Sequence, residues 1–571
     1  MCHNSKQNDM KKYCVNKVLC LAFIALAVLT FASCGDDFDF ENHYPGAELK
    51  KEYAQNWVDL YGAIDPNQNW SMAQDTCVTV TVGASSNVKV YGKFDGIFKL
   101  VAQYDNLEGT ASIPFSVVKG SEELYVSDGT MAVKTKIGGH VDFSAPATRG
   151  SYLPESNPYT GSFTDSNGKT HPIKFELLDE KLKIEYQPLK SAIGSLANVS
   201  PNSTGSNYSN VVVTDFTCVA TEGEVIIYPI NWINNENKEL GIYLNGNKDN
   251  KFPLYQTQDD KSNSHPKMTL SYEVEGGTIT EVDNSGHEGV PSNAKYVYSP
   301  GIKITVPVGT VIGFYAVKSV GNGNNQKGYS YSEGAEREVA MTDVNGTTLV
   351  GLYQKVNCSD FLFYAKNVTT ITNKLASWFI ACEDLGSTGD YDFNDLVFEV
   401  STSSKTGKKD PKYYYTIKPV AAGGTKKAEF SLDEGKTWTE IHSCFKDCGT
   451  PDNNGRYTMI NTNAERLTNG STGKSGVSLA NPEKWNKEYD GKVSDLFAHF
   501  KIRVEDNGAI VINSPKTGTA PQMILTPEGW QWPIERESIE VVYKEFKDWS
   551  QNATIYKWNE YKNKELVYPL Q

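Results

Sequence analysis

The densest polar stretch of the chain reads Cys382-Glu383-Asp384-Leu385-Gly386-Ser387-Thr388-Gly389-Asp390-Tyr391-Asp392-Phe393-Asn394-Asp395-Leu396-Val397-Phe398. Asp390, Asp392 and Asn394 fall at alternate positions, Asp395 follows at once, and Glu383 and Asp384 enter from the other end. Carboxylate and amide oxygens at alternate positions, on a loop that glycine lets bend, are how a hard cation is wrapped. Two carboxylates about 5 Å apart repel by roughly 3 kcal/mol at an effective dielectric near 20. A bound dication removes that cost, and so does splaying the side chains into water. The expected ligands are therefore Glu383, Asp384, Asp390, Asp392, Asn394 and Asp395, and the expected ion is Ca2+, because Mg2+ tolerates irregular loops poorly. The alternative is a solvent-facing turn whose Asp side chains cap backbone N–H groups. The loop is not an EF-hand: Asp395 stands where that motif needs Gly, and Ser401 where it needs a bidentate Glu.

Strands must hold such a loop. Residues 377–382 and 396–400 read as the two that flank it. Elsewhere the period is also two. Val78, Val80 and Val82 alternate with Thr and Gly, and Val88, Val90, Phe98, Leu100, Phe115, Val117, Leu124 and Val126 continue the pattern, with turn residues about every ten positions. Further strands are expected at 173–178, 182–186, 211–213, 224–228, 241–244, 268–274, 302–306, 311–317, 361–364, 413–417, 428–432, 500–504 and 510–512. Two helices interrupt them. One spans 47–62, with Tyr53, Trp57, Leu60 and Tyr61 at helical spacing and Gly62 as C-cap. Asp65-Pro66-Asn67-Gln68-Asn69-Trp70 follows as turn chemistry, with Trp70 as an anchor. The other helix carries Ile539, Val542, Tyr543, Phe546 and Trp549 on one face and closes the last sandwich. The fold class is mainly β: two or three β-sandwich domains in tandem, with a short N-terminal helix and one C-terminal amphipathic helix. The boundaries read 1–33 leader, 34–75 tether and helix, 76–143 small sandwich, 144–209 linker or insertion, 210–400 sandwich ending in the acidic loop, and 401–571 C-terminal β domain.

The acidic stretch closely resembles the ED…GDYDFNDLV signature of LruC-domain proteins, a family of exported bacterial proteins abundant as Bacteroidota lipoproteins. Val306-Pro307-Val308-Gly309-Thr310-Val311-Ile312-Gly313-Phe314-Tyr315 looks like the family's upstream strand pair, and Val420-Ala421-Ala422-Gly423-Gly424 like a segment just downstream. Pro521, Trp532-Pro533-Ile534-Glu535, Tyr543, Phe546 and Trp549 are similar to its C-terminal ending. The likeness covers residues 45–75 and 300–560. It implies an exported β protein and an address, not a reaction.

The N-terminus agrees on the address. Lys6, Lys11, Lys12 and Lys17 precede an apolar run at 18–32, too short for the roughly twenty residues that span a bilayer. Phe31-Ala32-Ser33-Cys34 resembles a lipobox, which makes Cys34 the lipidation site. Gly35-Asp36-Asp37-Phe38-Asp39-Phe40-Glu41 resembles the acidic surface-export tag of Bacteroidota lipoproteins. The expected location is the outer membrane, lipid-anchored and facing outward.

Charge and composition exclude several classes. The 571 residues carry 69 acidic and 55 basic side chains, a formal charge of −14, so no basic face is available for nucleic acid. Ten Cys occur without a C-x-x-C pair, which argues against zinc ribbons and thioredoxin chemistry. Cys444 and Cys448 are placed to bridge locally and Cys358 and Cys382 to be neighbours; free thiols, with Cys77 and Cys218, are the other reading. Gly470-Ser471-Thr472-Gly473-Lys474-Ser475 lacks the first Walker A glycine, since Thr468 stands there. No H-E-x-x-H or G-x-S-x-G appears. Trp530, Trp532 and the run Tyr413-Tyr414-Tyr415 are the candidates for aromatic platforms, with core packing the plainer reading for the two Trp. The resulting expectation is not an enzyme but a calcium-stabilised binding or adhesion module whose partners are the membrane, through its lipid, and a surface glycan or protein. A fimbria-like or envelope-assembly subunit is the alternative, and an extracellular glycoside hydrolase comes third.

Overall fold

The computed structural model describes residues 46–568, apart from internal segments of which the longest are 145–159, 257–270, 280–293 and 462–472. The leader, Cys34, the acidic tag and Cys358 lie outside the described residues, as do loop residues 385–389. The chain is mainly β, built from antiparallel sheets with few helices, as its period-two patterning implies. The largest sheet has fifteen strands among the described residues and a second has nine.

A long antiparallel hairpin organises the first part of the chain. Ala73–Phe94 pairs with Ile97–Val118 from Ala73 opposite Val118 to Phe94 opposite Ile97. Its two-residue turn is Asp95-Gly96, with φ +46° and +83°. Positive φ at both central residues is what a tight hairpin turn needs to match strand twist, and Asp-Gly supplies it at low cost. Val78, Val80, Val88, Val90, Phe115 and Val117 are all buried, as their alternation requires.

The expected tandem order does not describe how the core is shared. The cluster that buries this hairpin also contains Tyr53, Trp57 and Trp70 before it and Trp378, Phe398, Phe500, Trp530, Phe546 and Trp558 far after it. Residues 76–143 therefore have no separate sandwich core. The boundary expected at residue 400 falls inside the strand Leu396–Thr406, which pairs with both Ser377–Cys382 and Pro411–Ala421. The middle of the chain has its own apolar clusters, one around Ile173, Ile227, Ile302 and Phe314 and another around Ile184, Tyr228, Tyr353 and Leu362. Residues 144–209 are thus not all linker. Thr170–Glu185 is one continuous strand, where two pieces were expected, and it pairs with Ala294–Thr305. The middle region meets the hairpin through Tyr91, Phe98, Leu100 and Tyr125 against Val219, Val311 and Ile371.

Both helical regions join the shared core. Ala47–Tyr61 is helical and ends at Gly62, φ +87°. Tyr53, Trp57 and Tyr61 form its buried stripe, whereas Leu60 is 58% exposed: the apolar face follows four-residue steps and leaves Leu60 off it. Trp70 is fully buried and meets Trp57 edge-on at 5.6 Å. The single C-terminal helix expected from spacing is two short ones, Ile539–Val542 and Phe546–Gln551. The break falls at Tyr543, whose hydroxyl donates to Gln531 O at 2.8 Å and whose backbone is extended. The apolar face is still buried as expected. It packs on the N-terminal helix, Phe546 lying 6.0 Å from Trp57 and Trp549 5.5 Å from Trp70, rather than closing a separate last sandwich.

The cysteine pairing differs from the local bridge considered above. Cys444 and Cys448 are both free and buried, as is Cys382. Cys444 ends a short turn and points its thiol toward Glu440 O at 3.6 Å, while Cys448 points toward Lys446 O at 3.3 Å. Trp530 and Trp532 are both buried, so neither forms a platform.

Candidate metal centre

Ser377–Cys382 and Leu396–Thr406 form the expected antiparallel pair, with Cys382 opposite Leu396. The acidic loop sits across its mouth. Two loop residues adopt left-handed backbone although neither is glycine: Tyr391 at φ +53° and Phe393 at φ +52°. Such conformations cost about 1–3 kcal/mol each and persist where packing over-determines them. Here Tyr391 is 1% exposed and its ring lies 5.0 Å from Tyr53, 5.1 Å from Trp57 and 5.5 Å from Tyr61. Phe393 is fully buried against Phe546. The aromatics between the acids anchor the loop in the shared core.

The acids then crowd together. Glu383, Asp390 and Asp392 each offer a carboxylate oxygen, and these oxygens lie within 4.8 Å of one another. At that separation each ionised pair repels by about 3 kcal/mol at an effective dielectric near 20. Glu383 and Asp392 are almost completely buried, and Asp390 is half-buried. Burial, the Asp390 charge and the neighbouring acids Asp384 and Glu535 push the Glu383 carboxyl well above the usual carboxylate range. Burial does the same to Asp392, helped by Asp390 and Glu383. Asp395 is raised by burial and by Asp384, and Asp390 is raised more modestly, since Arg536 and Lys426 oppose the shift.

Of the other three expected ligands, Asp384 and Asp395 fall outside this group, while Asn394 adjoins it, its N–H donating to Asp392 Oδ1 at 3.3 Å. Asp395 Oδ2 accepts from Asp384 N–H at 2.7 Å, fastening the two ends of the loop. Asp384 Oδ1 pairs with Lys426 Nζ at 3.4 Å. Asn394 donates through Nδ2 to Pro533 O at 3.2 Å, and its Oδ1 is buried without a hydrogen-bond partner among the described residues. Gly423 lies against that amide: a Cβ there would stand 2.2 Å from Asn394 Oδ1. Only glycine lets the Ala422–Gly424 backbone approach this closely.

Sequence spacing missed the residues that close the site from outside the loop. Glu535 is 8% exposed, and burial followed by Asp390 pushes its carboxyl up to about 7. Arg536 N–H donates to Asp392 Oδ2 at 2.9 Å, and Ile539 N–H to Tyr391 O at 2.9 Å. Phe393 N–H donates to Glu383 Oε1 at 2.6 Å. A signal for Glu535, Gly423 and Gly424 was present: they lie in the two short segments, 420–424 and 532–535, that share the family likeness of the loop. Chemically the arrangement is a largely buried, oxygen-only donor set of high negative charge, which suits a hard cation better than a soft metal. The chain matches no protein-family model, no curated protein and no solved structure.

Proposed function

We propose that this chain is a lipid-anchored outer-membrane protein of the LruC-domain kind, exposed at the cell surface, and that it acts as a binding or adhesion module held rigid by Ca2+. One observation carries the calcium part: Glu383, Asp390 and Asp392 converge to within 4.8 Å while largely removed from water. Two buried carboxylates and a half-buried one, with oxygens within 4.8 Å of one another, are stabilised either by protons or by a cation, and at neutral pH a dication with oxygen ligands is the effective neutraliser. Support for family membership comes from the meeting at this loop of separate segments, 383–397, 420–424 and 532–535, that share the likeness. The address rests on Cys34 and its flanking residues in the sequence. No helix among the described residues is long and apolar enough to cross a membrane, and lipidation at Cys34 supplies the attachment.

In this reading the ion is structural. It pins the acidic loop, and the loop's aromatics pin the N-terminal helix that follows the tether. A ligand that binds only the folded chain adds about 2.7 kcal/mol at a hundredfold excess over its dissociation constant. Thermal unfolding in calcium and in chelator tests this. The wild-type chain is expected to melt at a clearly higher temperature in calcium, and Asp392→Ala to melt alike in both. A wild-type melting temperature indifferent to calcium removes the metal from the proposal. Protease treatment of intact cells tests the outward orientation.

A further inference from the structure

The triad is approached from a second side. Residues 532–534 and 566–568 lie against one another: Ile534 N–H donates to Leu566 O at 2.9 Å, Tyr568 N–H to Trp532 O at 3.1 Å, and Gln531 Nε2 to Tyr568 O at 2.9 Å. This two-ply segment is laced to the acidic loop by Asn394 Nδ2 to Pro533 O at 3.2 Å and Arg536 N–H to Asp392 Oδ2 at 2.9 Å. Glu535, next to the Arg536 N–H that binds Asp392, therefore sits beside the acid cluster on a backbone fixed from both sides. Beside it stands Tyr568, 9% exposed, whose hydroxyl is buried with no hydrogen-bond partner among the described residues. Burial first, and then the charges of Glu535 and Asp392, raise that phenol far above its usual range. A buried phenol oxygen with no partner among the described residues is destabilising unless something else engages it.

Protein charge answers only part of the cluster. Lys426 lies 3.4 Å from Asp384, Arg536 Nε stands 3.8 Å from Glu535 Oε1, and both cations act on Asp390. Burial and mutual charge still raise Glu383, Asp390, Asp392, Asp395 and Glu535, so the carboxyls outnumber these two cations.

We propose that Glu535 and the Tyr568 hydroxyl close the cation site from the C-terminal side, so that the ion joins the hairpin loop to the paired segments 532–536 and 562–568 and sets how firmly the second of these is held. This rests on reading the loop as a Ca2+ site, and it extends the ligand shell to residues that alternate spacing does not reveal. Glu535 supplies charge directly or through one water, and Tyr568 orients the carboxylates. Outer partners of this kind are worth about 10- to 100-fold in metal affinity.

Calorimetric titration of the full chain with Ca2+, with hydrogen exchange read over residues 562–568, tests it. In the wild type, chelation is expected to speed exchange in that segment. Glu535→Gln, which keeps size and removes charge, is expected to weaken Ca2+ binding about 10- to 100-fold and to exchange fast with or without the ion. Tyr568→Phe keeps the ring packing and is expected to weaken binding a few-fold, and it decides the matter if Glu535→Gln does not fold. Unchanged Ca2+ affinity in a folded Glu535→Gln chain and in Tyr568→Phe overturns the proposal and leaves the loop site standing. Absence of Ca2+ binding by the wild-type chain overturns this proposal and the reading beneath it together.

Discussion

Two kinds of acidic turn occur in this molecule, and they behave in opposite ways. At the surface, Asp433 accepts from Thr437 N–H, Thr437 Oγ1 and Ser431 Oγ at 2.8 Å each, and these bonds pull its carboxyl down to about 2. Asp452 accepts from Asn454 and Arg456 N–H, and Asp343 from Asn345 and Thr347 N–H; both are likewise lowered. These are backbone-capping turns of the kind considered as the plainer alternative for the loop after Cys382. That loop also takes backbone donors, Phe393 N–H on Glu383, Asn394 and Arg536 N–H on Asp392 and Asp384 N–H on Asp395. Yet Glu383, Asp390, Asp392 and Asp395 are all raised, by burial first and then by one another's charge. The difference shows that neither the number of acids in a turn nor the presence of backbone donors settles its chemistry. Exposure to water and the distance to the next carboxylate decide in which direction the carboxyl moves.

The largest contrast between the two kinds should appear in the pH dependence of stability. Without calcium, Glu383, Asp392 and Asp395 hold protons in the folded chain that the unfolded chain releases near 3.8 for Asp and 4.5 for Glu. The native state then binds more protons, so stability falls as pH rises above that range, and falls further through about 7 as Glu535 ionises. With calcium bound, the ion competes with those protons, and stability rises with pH over the acid range. Melting temperatures at about pH 5 and about pH 8, in chelator and in calcium, are expected to slope in opposite directions. Parallel slopes would place the loop with the capping turns.

A smaller effect tests how tightly the loop is held. In Gly423→Ala the new Cβ would stand 2.2 Å from Asn394 Oδ1 and 2.7 Å from Asn394 O. Overpacking of this sort costs about 1–3 kcal/mol, and calcium affinity should fall with it. Gly424→Ala meets Asp395 Oδ1 at 3.1 Å and Asp384 Oδ2 at 3.2 Å, so it should weaken the loop less. Equal melting temperatures for the two variants would mean that the close approach at Asn394 does not constrain the site. The smallest effect belongs to the surface turn. Asp433→Ala should lower the melting temperature slightly and equally in calcium and chelator. Its lowered carboxyl contributes above the ordinary value of 3.8, so the deficit should vanish as pH falls toward about 2. A calcium-dependent deficit at Asp433 would erase the distinction between the two kinds of turn.

Much of the local structure was legible. Val78, Val80 and Val82 gave a strand, Tyr53 and Trp57 a helix, and the loop was correctly set between residues 382 and 396. These signals are short-range, because side-chain periodicity reports which face of one element is buried. Partners hundreds of residues away leave no such trace. Tyr53 donates to Pro521 O at 2.7 Å across 468 positions of sequence, and Gln68 Nε2 to Trp549 O at 2.6 Å across 481. Hence the tandem division failed where the first and last thirds share one core. The candidate site shows the same limit: spacing found Glu383, Asp390 and Asp392, while Glu535 arrives through tertiary folding. Asn394 was singled out as a ligand because its oxygen sits at the alternate position; its amide nitrogen ties the loop to Pro533, a partner no spacing shows, and that oxygen is buried with no hydrogen-bond partner among the described residues.

The stitching of early residues to late ones constrains when this chain can fold. Trp57 and Trp70 complete their packing against Phe546 and Trp549, which are made hundreds of residues later. The long hairpin begins with half its core absent, and non-local pairing of this kind delays folding until distant segments are present. A chain whose late aromatics have not yet been made is thereby kept loose, and its final consolidation waits for them.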